Sequence, residues 1–415
     1  MKKLILGLGV FIMASTIVAF EPADVHYENC RDKQPAKADC SAFKAEKKPR
    51  NVIVFIQDGV GIDQIYASRV FANGPDQPFG FERLPHQSTI RTCSLSGVTD
   101  SAAASTALGT GNKTTNGKID IGPDNEKFSN MIELAKAAGK ATGVATTDEL
   151  PGATPAGFTV HSSSRTKYRD IAQSYIDVQP DLLMGGGRKW FSRASSGAPD
   201  TYVYANGGKD VVKLENHSDS KDLTGAARKE GYTVVNDEKE LEALPDSCCK
   251  ALCLFSETSM TYAVDRPQTC PEPTMEEMMK VALRILSKNP KGFFLIFESS
   301  NSDGASHAGN ETKVVNEIAA ADKAIEVAIE FANSHPDTLL LLTSDHETGG
   351  LEIKPGTYKK GDLVDATFTT KMPLLPAMHS SQRVALFATG PGAELAEKVN
   401  DNTQVFCLEK LADEK

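Results

Sequence analysis

The sequence predicts an α/β protein: a three-layer sandwich with a large, mostly parallel central sheet, helices on both faces and an irregular insertion. Three observations carry this. Short β-branched apolar runs alternate with amphipathic stretches, as expected of strands buried on both faces by crossover helices. Several of those runs end in Asp, Glu or His, and ligands collect at the carboxyl ends of strands in open α/β sheets. The composition of the 415 residues, 40% hydrophobic and 24% charged, is that of an ordinary globular chain. It excludes collagen, coiled coil and disorder as descriptions of the whole.

The elements follow in order. Residues 1–22 read as a secretory signal: Lys2 and Lys3 precede an apolar run, and acidic residues resume at Glu21 and Asp24. An uncleaved anchor is the rival reading. No other apolar run reaches the roughly 18–20 residues of a membrane helix. A periplasmic or secreted protein with no membrane span after signal removal is therefore expected. Residues 23–50, rich in Lys, Asp and Pro, read as a loosely packed arm. A single domain, 51–415, follows. Residues 52–56, 143–146, 293–297, 339–343 and 384–388 read as buried parallel strands, and 128–138, 274–287 and 313–333 as helices between them. From about 185 to 273, Gly, Ser, Asp and Cys prevail and periodicity is weak, which reads as an insertion beside the sheet.

All eight cysteines lie beyond residue 22, which in an exported chain favours disulfides. Cys30 and Cys40 suit a local loop. Cys248, Cys249, Cys253 and Cys270 suit two further bridges, with a zinc site as the rival. The net charge of -10 argues against nucleic acid as a partner, since such binding needs a basic face.

The strand tips carry the chemistry. Residues 52–56 run into Asp58-Gly59-Val60-Gly61, residues 293–297 into Glu298, Asp303 and His307, and residues 339–343 into Asp345-His346-Glu347; His379 precedes the last strand. Carboxylates buried at strand tips are costly without a cation beside them, and no Lys or Arg adjoins these. Metal ions are the economical partners: His with carboxylates suits zinc, and Glu298 with a Thr hydroxyl suits magnesium. Helix-capping carboxylates and surface histidines are the blander alternative. Thr99-Asp100-Ser101-Ala102-Ala103 reads as a helix start. There Ser101 faces the positive end of the helix dipole, a place for phosphate or a developing oxyanion, although a plain N-cap fits the same residues. Residues 111–118 resemble a phosphate-binding loop, but the glycine spacing is wrong and Ile119 replaces the required hydroxyl residue. Gly185-Gly186-Gly187-Arg188 reads as a tight turn.

These motifs, with Ala153-Thr154-Pro155-Ala156 and His161-Ser162-Ser163-Ser164-Arg165, stand in an order that resembles the alkaline phosphatases from about residue 51 to 392. The resemblance implies hydrolysis of small-molecule phosphate monoesters through a phosphoserine, at two zinc ions and one magnesium, in a homodimer. It implies Ser101 as nucleophile and Arg165 as the phosphate clamp. Asp303, His307 and His379 match ligands of one zinc, and Asp58, Asp345 and His346 those of the second. Asp58, Thr154 and Glu298 match those of magnesium. Two positions depart from the pattern: Gly152, where Asp or His is common, and Gly304, where Lys, His or Trp is common. They predict altered metal affinity and a more open phosphate pocket. A phosphodiesterase or nucleotide pyrophosphatase with a related site, and a non-catalytic phosphate-binding protein, are the rival functions.

Overall fold

The computed structural model describes residues 19–30, 36–195 and 197–412; most of the expected signal segment lies outside them. Among the described residues the strands, in chain order, are β1 (Asn51–Gln57), β2 (His86–Ile90), β3 (Ala141–Glu149), β4 (Leu182–Gly186), β5 (Thr201–Ala205), β6 (Asp210–Leu214) and β7 (Thr233–Val235). They continue with β8 (Ala251–Leu254), β9 (Phe293–Ser299), β10 (Thr338–Thr343), β11 (Leu351–Ile353), β12 (Ala366–Phe368) and β13 (Val384–Thr389). Nine form one sheet in the order β2-β13-β10-β1-β9-β3-β4-β8-β7, and β5–β6 and β11–β12 are separate hairpins.

Side-chain alternation explains the layers. In β1, Val52, Val54 and Ile56 face one apolar core while Ile53 and Phe55 face the other. Helices Ser101–Thr110, Met131–Ala137 and Tyr168–Val178 cover the first face; Met275–Leu286 and Glu311–Ser334 cover the second. Helix Met275–Leu286 starts at Thr274, which accepts from Glu277 N in a capping box, and buries Met278, Met279, Ala282, Leu283 and Leu286. That spacing is the 3.6-residue period, and each Met or Leu so buried contributes about 1.5–3 kcal/mol.

Three expectations change. The strand at 384–388 is antiparallel to β10, not parallel. After β10 the chain stays at the same end of the sheet, through β11, β12 and His379, so β13 must run back from that end. The segment 185–273 is only partly an insertion beside the sheet. Helix Leu223–Lys229 leads into β7, and β7 and β8 pair parallel and extend the sheet beyond β4. With three and four residues, these strands are too short for periodicity to register.

The third change concerns the arm and the cysteines. Cys30 pairs with Cys93 and Cys40 with Cys407, not with each other, because spacing cannot reveal which distant segment the fold brings near. Cys248, Cys249, Cys253 and Cys270 are unbridged and belong to none of the possible metal-holding groups among the described residues. Cys248 and Cys253 are buried in the apolar core, where a thiol packs as a small hydrophobe. The arm is a pinned strap rather than a loose one: Glu28 N donates to Ser381 O at 2.8 Å and Ala38 N to Gly111 O at 2.8 Å, and Phe43 is buried. No helix among the described residues is long and apolar enough to cross a membrane.

Candidate active site

Sheet register aligns the site. Thr343 of β10, Ile56 of β1, Glu298 of β9 and Thr146 of β3 lie in one row across four adjacent strands. Asp58 and Asp345 each stand two residues beyond that row. Gly59 then turns the chain at φ +75°, and a Cβ there would meet Asp303 Cα at 2.8 Å; glycine serves both the left-handed turn and the close approach.

Two side-chain groups converge at this end: Asp58 with Asp345 and His346, and Asp303 with His346 and His379, their donor atoms within 4.8 Å of one another. His346 Nε2 is 3.1 Å from Asp345 Oδ2 and 3.6 Å from Asp58 Oδ1. His307 Nε2 is 3.2 Å from Asp303 Oδ2 and 3.2 Å from His379 Nε2. The far ring nitrogens fix the tautomers. His307 Nδ1 meets the Ala377 carbonyl and His379 Nδ1 the Thr99 carbonyl. A carbonyl only accepts, so both Nδ1 atoms carry hydrogen and both Nε2 lone pairs point into the site.

Electrostatics shows the strain of this crowding. Burial, then Asp345, Asp303 and Glu298, raises Asp58 well above the ordinary carboxyl value. Burial, then Asp148, pushes Glu298 up to about 8, though Thr146 donates a short hydrogen bond to it. Asp303 goes the other way: burial works to raise it, but His307, His379 and His346 hold it well below. Burial and His346 together depress His379. Asp58 Oδ1, Asp345 Oδ2 and Thr154 Oγ1 are all buried without a hydrogen-bond partner. Such atoms are expensive unless a cation meets them. The donor set fits metal: imidazole with carboxylate for zinc, and the oxygens of Asp58, Thr154 and Glu298 for magnesium.

Ser101 opens helix Ser101–Thr110 and lies 3.2 Å from His346 Nε2 through its hydroxyl. Asp100 is the N-cap, its Oδ1 accepting from Ala103 N at 3.0 Å. Its other oxygen accepts from Gly117 N at 2.9 Å and from Arg165 Nη1 at 3.3 Å. Gly117 O in turn accepts from Arg165 N at 2.7 Å. The loop that only resembled a phosphate-binding loop therefore braces both the serine helix and the arginine. Asp58, Ser101, Arg165 and Asp303 line one open cleft of about 460 Å³.

All ten sequence-predicted site residues meet at this end of the sheet. The reading missed others. In the sequence, Asp100 offers no more than an N-cap, and nothing there links it to Arg165. Asp148 has its carboxylate where a side chain on Gly152 would go, 2.3 Å from the ideal Cβ, and the Tyr262 hydroxyl lies 2.9 Å from that of Gly304. Neighbours thus occupy space that the two glycines leave, so the cleft is less open there than glycine alone suggests.

The site can be set beside known proteins. A family model described as alkaline phosphatase matches residues 49–366. The chain is 30% identical over 411 residues to the alkaline phosphatase of Escherichia coli, covering 89% of this chain and 87% of that one. It is 33% identical over 327 residues to alkaline phosphatase 4 of Bacillus subtilis, covering 75% of this chain but 65% of that one, just under two thirds of the relative. The structure of alkaline phosphatase from the Antarctic bacterium TAB5 superposes with a TM-score of 0.74 at 27% identity, covering 89% of this chain and 99% of that one. A mutant of the same enzyme, at a TM-score of 0.73, is described with Mg bound in its M3 site.

Proposed function

The chain belongs to the alkaline phosphatase family, and from that premise we propose that it hydrolyses phosphate monoesters through a phosphorylated Ser101. One observation carries the reading: the Ser101 hydroxyl stands beside His346 at the meeting point of the two His–carboxylate groups, with Arg165 on the same cleft.

Asp303, His307 and His379 would hold one zinc, Asp58, Asp345 and His346 a second, and Asp58, Thr154 and Glu298 a magnesium. Bound there, the ions supply positive charge for the phosphoryl oxygens and lower the pKa of the serine hydroxyl and of water. The magnesium assignment draws on the Mg described in the TAB5 relative.

The chain's own groups do the rest. Arg165 is held by Asp100 through Nη1, leaving other guanidinium N–H groups to grip phosphoryl oxygens in a fork. The dipole of the ten-residue helix behind Ser101 favours the same negative charge. Ser101 Oγ gives its proton to solvent and attacks phosphorus, the Oγ–P bond forms, and the ester P–O bond breaks on the opposite side, so the alkoxide leaves toward Asp303, His307 and His379 and takes a proton from solvent. Water enters from that side and attacks phosphorus; the Oγ–P bond breaks, Ser101 regains its proton and inorganic phosphate departs. Positioning and charge neutralisation account for most of phosphoryl transfer.

Export from the cytoplasm and a homodimer belong to the same proposal; the two disulfides support the former. The test compares a chromogenic phosphomonoester with a matched diester over pH 6–10, with and without chelator. Monoester activity lost on chelation and in Ser101→Ala, and rising toward alkaline pH, is expected. Activity surviving Ser101→Ala would overturn the mechanism, preference for the diester would favour a phosphodiesterase, and phosphate binding without turnover would make the protein a binder.

A further inference from the structure

The β5–β6 hairpin lies over the site, and the family reading gives it no role. Its turn is seated on the histidines. Gly207 O accepts from His379 N at 3.0 Å, and a Cβ on Gly208 would lie 2.6 Å from His307 Cε1. Its base is fixed as well: Thr201 Oγ1 donates to Glu149 Oε1 at 2.5 Å, and Val203 and Leu214 are buried in the core. Residues two apart on a strand share a face, so Tyr202 and Tyr204 point together, and both line the cleft with Ser101 and Arg165. The Tyr204 ring stacks on the His307 imidazole, centroids 3.8 Å apart and planes 23° apart. Tyr202 is 58% exposed. From a different part of the chain, Tyr262 reaches the same cleft, its hydroxyl beside Gly304 and its ring under Lys313 Nζ at 4.0 Å.

Direction makes these rings informative. In the in-line displacement proposed above, the leaving group departs on the side opposite Ser101, and Tyr204, stacked on His307, lines the same cleft. We propose that Tyr204, with Tyr202 and Tyr262, forms a binding wall for a planar ring on the leaving group, so that the preferred substrates are monoesters of ring-bearing alcohols. A nucleobase on a ribose and an aryl group on an alkyl chain share that chemistry. The inference rests on the phosphomonoesterase reading and adds the substrate class.

Paired substrates of equal leaving-group acidity test it on the metal-loaded, full-length enzyme. Adenosine 5′-monophosphate is compared with ribose 5-phosphate, and 3-phenylpropyl phosphate with propyl phosphate. Each ring-bearing member is expected to have the higher kcat/KM, by about tenfold, the scale of one aromatic stack. Tyr204→Leu should bring the ratio toward one while Tyr204→Phe keeps it, and any general damage cancels in the ratio. Tyr202→Leu, at an exposed position, gives a second reading should Tyr204→Leu fail to fold, and should lower the ratio at least twofold. A preference confined to the nucleotide pair assigns the wall to nucleobases, and one confined to the phenyl pair to aryl groups. Hydrolysis of all four substrates without ring preference, or ratios unmoved by both leucine variants, would overturn the inference alone. Failure to hydrolyse any of them would overturn the phosphatase reading and this one with it.

Discussion

Replacing Asp100 by Asn is the most revealing perturbation, because it looks conservative and should not be. Both carboxylate oxygens accept from N–H groups: Oδ1 from Ala103, Oδ2 from Gly117 and from Arg165. An amide has one acceptor. If its oxygen keeps the helix cap, its NH₂ faces two other donors in a buried place (Asp100 is 0% exposed). Losing the charge-assisted bond to Arg165 costs about 1.5–3 kcal/mol, and stranding the Gly117 N–H about 1 kcal/mol more. The expected loss is therefore roughly 2.5–4 kcal/mol in unfolding free energy, with Asp100→Ala about 1 kcal/mol worse because the cap goes too. The same change frees Arg165 from its orienting partner, so inhibition by inorganic phosphate should weaken on the order of tenfold, about 1.4 kcal/mol. Denaturant melts and phosphate inhibition constants read the two effects separately. An Asn variant matching the parent in both would refute the account of Asp100 as the joint brace of helix and arginine.

Magnesium loading between pH 6 and 7 should release protons, since burial, then Asp148, pushes Glu298 up to about 8 while a metal ligand must be ionised; calorimetry in buffers of different ionisation enthalpy would show no net release if this were wrong. Metal-free stability should fall as pH rises. Burial first of all pushes Glu149, Glu317 and Asp322 up to about 7, above the value of an unfolded carboxyl. Through these groups the folded state binds more protons between about pH 4 and 7, and their contribution to the slope is negative through that window. Melting temperatures that climb from pH 5 to 7 would contradict it. The double variant Cys40→Ser, Cys407→Ser should lose about 2–5 kcal/mol, and an unchanged denaturation midpoint would show that the bridge only decorates the fold.

Much of the site was legible because its chemistry sits where local pattern is strongest. Apolar runs ending in Asp58, Glu298 and Asp345 announce strands and tips together, and sheet register does the rest. What was illegible depends on distance in the fold. The partners of Cys30 and Cys40 lie 63 and 367 residues away, and no spacing rule spans that. β7 and β8 are fixed by pairing with the sheet, not by their own periodicity. The direction of β13 follows from where the preceding loops stay. Tyr204 was unreadable because its meaning comes from His307 beneath it, a contact between segments 103 residues apart (307 less 204).

The seat of the serine helix has a consequence for biogenesis. Helix Ser101–Thr110 ends at Gly111, where a Cβ would lie 2.6 Å from the Phe406 ring. Just beyond, Lys113 Nζ bonds Asn402 Oδ1 at 2.6 Å and pairs with Asp401 at 3.1 Å. The Cys40–Cys407 bridge fastens the arm to the same segment. A ribosome delivers residues 401–407 some three hundred residues after Ser101, so the serine helix lacks this support until that segment has been made. That bridge can close only after residue 407 has been made and where an oxidant acts on both thiols.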